Sequence, residues 1–274
     1  MWTAAEELPR PWSDVDRRIA IADAVGVHLL RFAVMLVVLE LAGAIGVRGW
    51  YLGLVANLAV TVLAVVLMTR RRLWRSSGAL TAWRSRAALL ALVPFVVEAV
   101  SWALPAGLRD QAPGWGWWAL TLLLVGVNEE LISRGVVLSR LTRAFSPVAA
   151  VVLTGALFGL QHLSALVLTS RQLGDVLGNV ALSAVFGFAL AAYQWRYRWI
   201  WPLVLVHATA DFTVILSARP LPDVLIGLAH VLLLGWGVAL LIRRTHDRSL
   251  EEHDHRSPTR AEVVGMQRSS ATDR

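Results

Sequence analysis

Apolar stretches of about 20 residues recur along the chain, each the length that carries a helix across a hydrocarbon layer. They fall near residues 25–47, 50–69, 87–105, 115–141, 147–168, 174–195, 199–216 and 221–242, separated by short polar or arginine-bearing breaks. The stretches lack the brief alternating polarity of an outer-membrane barrel. A segment standing alone in lipid must also satisfy its own backbone, so all eight are expected to be helices. The expected fold is all-α, a polytopic membrane protein of about eight transmembrane helices. Four parts follow: an N-terminal cytoplasmic segment (1–24), three N-terminal transmembrane helices (25–114), a core of five helices (115–242), and a polar, disordered cytoplasmic tail (243–274). The first 24 residues are mixed in charge and lead into no small-residue cleavage site, so a cleaved signal peptide is not expected.

Composition sharpens this picture. Hydrophobic residues make up 57% of the chain, charged residues 16%, and mean hydropathy is +0.59, against about 25% charged in soluble domains. There is no Cys, which excludes disulfides, cysteine metal sites and thiol nucleophiles. All 26 basic residues are Arg, a bias that suggests a GC-rich bacterial gene. Twenty of them fall on one side of the eight-span arrangement and four on the other, with Arg31 and Arg134 inside spans. The positive-inside rule then places both termini in the cytoplasm of a multi-pass inner or plasma membrane protein. The same distribution explains the net charge of +7 without a nucleic-acid partner. Trp50, Tyr51, Trp115, Trp117, Trp118, Trp195, Trp199 and Trp201 sit at span ends, as interface anchors do.

Three spans carry ionisable groups in an ordered way, although each such group costs about 2.5–3.5 kcal/mol in a bilayer. Span four contains Glu129, Glu130 and Arg134. Neighbouring residues on a helix point about 100° apart, so Glu130 pairs with Arg134 one turn on and Glu129 is left to face a cavity, as a candidate general base. The alternative is a buried ion-pair staple beside a spectator carboxylate. Span five places Phe158 and His162 on one face, next to a Gly155–Gly159 stripe that admits another helix closely. Span seven places His207 and Asp211 one turn apart. At 1.5 Å per residue, Glu129, His162 and His207 all lie roughly 12–23 Å from the cytoplasmic face, so three helices can present them to one polar cavity. Such a set suits activation of water and stabilisation of an oxyanion. Arg31 reads as snorkelling to the inner face. Glu40, Glu98, His28 and His230 read as packing or interface features.

Glu129-Glu130…Arg134, Phe158…His162 and His207…Asp211, in that order on separate spans, resemble the three motifs of the CPBP intramembrane proteases, also called the Abi or CAAX prenyl protease 2 family. The resemblance covers about 115–216. It implies a membrane-embedded endopeptidase cleaving a peptide of a membrane-associated protein near the cytoplasmic side. It further implies Glu129 with His162 as the water-activating pair, His207 with Asp211 at the oxyanion, and Glu130, Arg134 and Phe158 as support. Asp211 stands where prenyl-protein proteases have Asn, so it must be protonated, orient His207 or help bind a metal. The family is described both as metallo- and as glutamate proteases. A zinc ion would take Glu129, His162 and His207, but no His-Glu-x-x-His motif is present and the reading favours no metal. Two other functions fit the same residues: a non-catalytic bacteriocin-immunity or partner-binding membrane protein of the same fold, and a proton-coupled transporter. Expected partners are the lipid bilayer and a membrane-associated protein or peptide substrate. Substrate identity and oligomeric state stay open.

Overall fold

The computed structural model describes residues 14–256, with side chains as far as Ile242. The elements are α1 (Asp14–Ala44), α2 (Trp50–Arg70), α3 (Arg86–Leu90), α4 (Val93–Ser101), α5 (Trp115–Glu130), a π-helical stretch (Leu131–Val137), α6 (Leu138–Leu141), α7 (Pro147–Leu160), a 3-10 turn (Gln161–Ser164), α8 (Ala165–Leu168), α9 (Leu173–Tyr197), α10 (Ile200–Leu216) and α11 (Asp223–Arg256). Among the described residues there is no β-strand, only an isolated bridge between Leu108 and Ser217. Among the described residues five helices are long and apolar enough to cross a membrane: α1, α2, the run 147–168, α9 and α11 as far as Ile242. The apolar α10 is shorter. Their large side chains, such as Val37 and Leu41 on α1, Leu58 and Val62 on α2, and Val231 and Leu232 on α11, point outward, as lipid-facing residues do. The chain is a multi-pass membrane protein.

The expected spans need three corrections. The first helix begins at Asp14, not near 25, with Asp14 and Asp16 in its first turn, where negative charge is favoured. The third span is not one helix: α3 stops at Leu90, and α4 restarts at Val93 with Pro94 in its first turn. Proline has no N–H to give an uninterrupted helix. Lastly, α11 continues to Arg256, so the tail expected to be disordered from 243 begins as helix. Propagating an existing helix costs little, and Arg, Leu and Glu favour it. Residues 257–274 and 1–13 lie outside the described residues.

Helix α7 packs along α9, α9 along α11, and α10 against α5 and α4, while α2 bridges α1 and α5. The α7–α9 contact depends on the glycine stripe. A Cβ added at Gly155 would lie 2.7 Å from Phe188 N, and one added at Gly159 would lie 2.5 Å from Val180 O. Gly159→Val is therefore expected to push the helices apart and cost about 1–3 kcal/mol, read as a lower melting temperature in detergent. An unchanged melting temperature would mean that this contact does not organise the pair.

Two layers of loops close the bundle. On the arginine-rich face, Arg71 donates twice to Asp23, at 2.7 and 2.8 Å, and Arg140 lies 3.7 Å from the same carboxylate. Nearby, Gln194 donates to Ser77 O at 2.6 Å, Trp199 to Thr81 O at 3.1 Å and Trp201 to Ala79 O at 2.7 Å. At the opposite face, Arg109 N donates to Leu216 O at 2.8 Å and Ala218 N to Gly107 O at 3.0 Å, while Trp50 meets Trp117 and Trp118 edge-on. Several tryptophans expected as lipid anchors thus also stitch loops through their indole N–H groups.

Candidate active site

Glu129 and Glu130 end α5, and Arg134 follows in the π-helical stretch. Here Leu138 N–H donates to Ser133 O, five residues back. The Glu130–Arg134 pair forms as the spacing requires, with Nη1 3.1 Å from Oε1 and both side chains fully buried. Arg134 also donates to Gly187 O at 3.2 Å and lies 4.2 Å over the Phe158 ring. Phe158 in turn meets His162 and His207 edge-on, with centroids 5.5 and 5.6 Å apart. It is the apolar floor on which the cation and both imidazoles rest.

Glu130 does more than staple its helix. Its Oε1 accepts a hydrogen bond from His207 Nδ1–H at 2.8 Å, so the carboxylate expected to serve Arg134 alone also orients the imidazole. Asp211, one turn along α10, is not the orienting group. Its Oδ2 stands 3.6 Å from His207 Nε2, on the far side of the ring. Glu129 Oε2 lies 3.8 Å from that same Nε2. The nitrogen therefore faces two carboxylates across gaps too long for a direct bond, around space where a reacting group fits.

Glu129 is not left free by the Glu130–Arg134 pair. Arg31 of α1 reaches inward and donates to its Oε1 at 2.5 Å, both side chains being more than nine-tenths buried. Gln161 donates to Oε2 at 2.9 Å, and its own carbonyl oxygen faces His28 Nδ1 at 3.1 Å. The expectation that Arg31 snorkels to the cytoplasmic face is overturned, because the buried Glu129 carboxylate needs a compensating cation and Arg31 supplies it. The signal was present: His28 and Arg31 are one turn apart on α1, a polar stripe on an apolar helix. Gln161, adjacent to His162, belongs to none of the three motifs, and only the packing of α1 against the 3-10 turn shows its role. Both residues of the Arg31–Glu129 pair lose their counter-charge if the other is removed. Arg31→Lys, which keeps the charge, is expected to cost about 1 kcal/mol. Arg31→Met strands Glu129 and is expected to cost several times more. Thermal unfolding of the two variants checks that order, and equal melting would show that the pair contributes nothing.

His162 lies on the 3-10 turn that follows α7, and its Nδ1 is 3.0 Å from Phe158 O. A carbonyl can only accept, so Nδ1 carries a proton, and the ring in its neutral form presents Nε2 as a base. Glu129, His162, His207 and Asp211 line one cavity of about 500 Å³, together with Glu98 and His230. Glu98, expected to be a packing residue, belongs to this wall. Its Oε1 accepts from Trp102 Nε1 at 2.9 Å, and its buried Oε2 has no hydrogen-bond partner among the described residues.

The zinc alternative does not fit this arrangement. Among the described residues no group of three His, Asp or Glu is placed to hold a metal ion. Both oxygens of Glu129 already accept from Arg31 and Gln161, and a guanidinium at 2.5 Å opposes a second cation on the same carboxylate.

A buried cluster of carboxylates and imidazoles, sunk among apolar helices and open to a cavity, has the groups needed to activate water and to hold an oxyanion. Residues 111–213 match the family described as type II CAAX prenyl endopeptidase, Rce1-like. All three motifs lie inside that segment, so the resemblance drawn from them holds there, and the family is one of peptidases. Arg31, His28 and Glu98 lie outside it. No curated protein and no solved structure matches the chain.

Proposed function

We propose that the protein is an intramembrane endopeptidase that hydrolyses a peptide bond of a membrane-associated protein or peptide with water activated by Glu129 and His162. The observation that carries this reading is the fixed carboxylate of Glu129, held from one side by Arg31 and Gln161 and facing His207 Nε2 across an unbridged 3.8 Å. A water between Glu129 and His162 gives a proton to one of these bases as its oxygen attacks the peptide carbonyl. The tetrahedral oxyanion that forms accepts from His207 Nε2–H, present when the ring is protonated and holds its Nδ1 proton against Glu130. The C–N bond then breaks as the proton taken from water passes to the leaving nitrogen. Glu130, Arg134 and Phe158 are positioning residues, and Asp211 supports the charge on His207 from the cavity side.

Comparative peptidomics of membranes from cells expressing wild type or Glu129→Gln tests the reading. Peptides that appear only with the wild type are expected, and indistinguishable profiles would overturn it. Biological rescue by the Glu129→Gln protein would instead favour the non-catalytic, partner-binding role.

A further inference from the structure

We infer that the substrate enters this cavity from the side of the membrane opposite the arginine-rich loops, and hence from outside the cytoplasm. The inference rests on the proteolytic reading for what enters, and on geometry together with the arginine distribution for where the opening lies.

The two faces of the bundle are identified by their loop contacts. The segments joined to Ser77, Ala79 and Thr81 define the arginine-rich face, and the clasp between 107–109 and 216–218 defines the other. The cavity wall belongs to the second face. Trp102 follows the end of α4, Arg171 lies on the link before α9, Asn179 is in the first two turns of α9, and Ile215 is at the end of α10. Asp211 is five residues from the end of α10 on that face and eleven from its start, or about 8 Å against about 17 Å along the axis. The apolar groove between α4 and α11, of about 480 Å³, meets the cavity at Glu98 and is lined by Leu104, Pro105 and Leu221 of the same face.

Toward the arginine-rich face the site is closed. One turn inward stand Leu131, Ile132, Leu203 and Val204, all at 0–1% exposure, and the glycine-mediated contact of α7 with α9. A separate polar recess of about 640 Å³ does enter from that face, between Ser77, Ser139 and Arg198, but it ends at Arg134. Among the described residues none lines both volumes. The Arg134 guanidinium stacked on Phe158 is the wall between them. The arginine distribution marks the closed face as cytoplasmic. A substrate tail presented by a cytosolic protein is therefore on the wrong side. The class that fits is an exported peptide, or the extracytoplasmic part of a membrane protein near its span. The cytoplasmic-side cleavage implied by the family resemblance does not suit this chain.

The absence of Cys allows a clean test by single-cysteine labelling. Asn179→Cys and Ser183→Cys place a thiol in the half-buried cavity wall, away from the proposed catalytic groups. Ser76→Cys marks the arginine-rich face and Gln172→Cys the other. Each full-length variant is treated with a membrane-impermeant maleimide in intact spheroplasts and in inverted vesicles. Asn179→Cys and Ser183→Cys are expected to follow Gln172→Cys, labelling at least tenfold faster in spheroplasts, with Ser76→Cys labelling only in inverted vesicles. Labelling of both cavity thiols from inverted vesicles only, or from neither side, would overturn the inference. Labelling needs no turnover, so an inactive site with the expected pattern would remove the proteolytic reading and leave the access route standing.

Discussion

Glu129→Gln is expected to lower peptide hydrolysis by about 10²–10⁴-fold, the usual contribution of a positioned general base. The amide has nearly the shape of the carboxylate but no proton affinity to lend to water. It also places an NH2 group among donors, because Arg31 and Gln161 both donate to Glu129 in the wild type. Some loss of stability therefore accompanies the loss of rate, and the two must be measured separately. Cleavage should be assayed on protein shown to be folded by its melting curve in detergent. Glu129→Asp is the useful companion, since it keeps the charge but withdraws it by one methylene from the gap before His207. A partial rate for Asp and almost none for Gln is the expected order. Full activity in the Gln variant would end the assignment of Glu129 as base.

Arg134→Met is expected to be the most damaging substitution for stability, at about 3–5 kcal/mol. That is a large part of the 5–15 kcal/mol by which a typical domain is stable. Methionine fills much of the volume but leaves three defects. The Glu130 carboxylate, fully buried, loses its guanidinium. Gly187 O loses its donor, and the Phe158 ring loses the cation stacked on it. Arg134→Lys keeps a charge, but a single ammonium cannot serve Glu130, Gly187 and the ring at once, so an intermediate melting temperature is expected. Thermal unfolding and size-exclusion profiles in detergent check the series. A Met variant that melts with the wild type would show that the anchor lies elsewhere.

Much of this architecture is legible in the amino-acid sequence because lipid imposes a simple rule, about 20 apolar residues for each crossing. The run 147–168, α9 and α11 appear where that rule places them, while the apolar α10 is shorter. The break between α3 and α4 is a local matter of Pro94 that a hydropathy window averages away. In the site, contacts within one helix were readable from spacing alone: Glu130 with Arg134, and Phe158 with His162. Contacts between helices were not. That Glu130 would orient His207, 77 residues away, depends on how α5 and α10 are rotated against each other. Arg31 was misread because a lone arginine near a membrane interface has two satisfactory solutions, snorkelling or pairing, and only packing chooses between them. His28, one turn away, was the clue that its helix turns a polar stripe inward.

The wide turn at Leu131–Val137 carries an additional consequence. Such a turn absorbs a surplus residue while letting the helices on either side keep their orientation. A chain shortened by one residue there would still close a continuous helix, with Leu122 before it and Leu141 after it directed at the interior as they are now. The side chains inside the turn would nevertheless be re-indexed against Glu130, Gly187 and Phe158, and Arg134 would miss its mark. At this point the count of residues is as much a part of the candidate site as their identity, so a one-residue deletion that leaves the hydropathy profile untouched is expected to dismantle it.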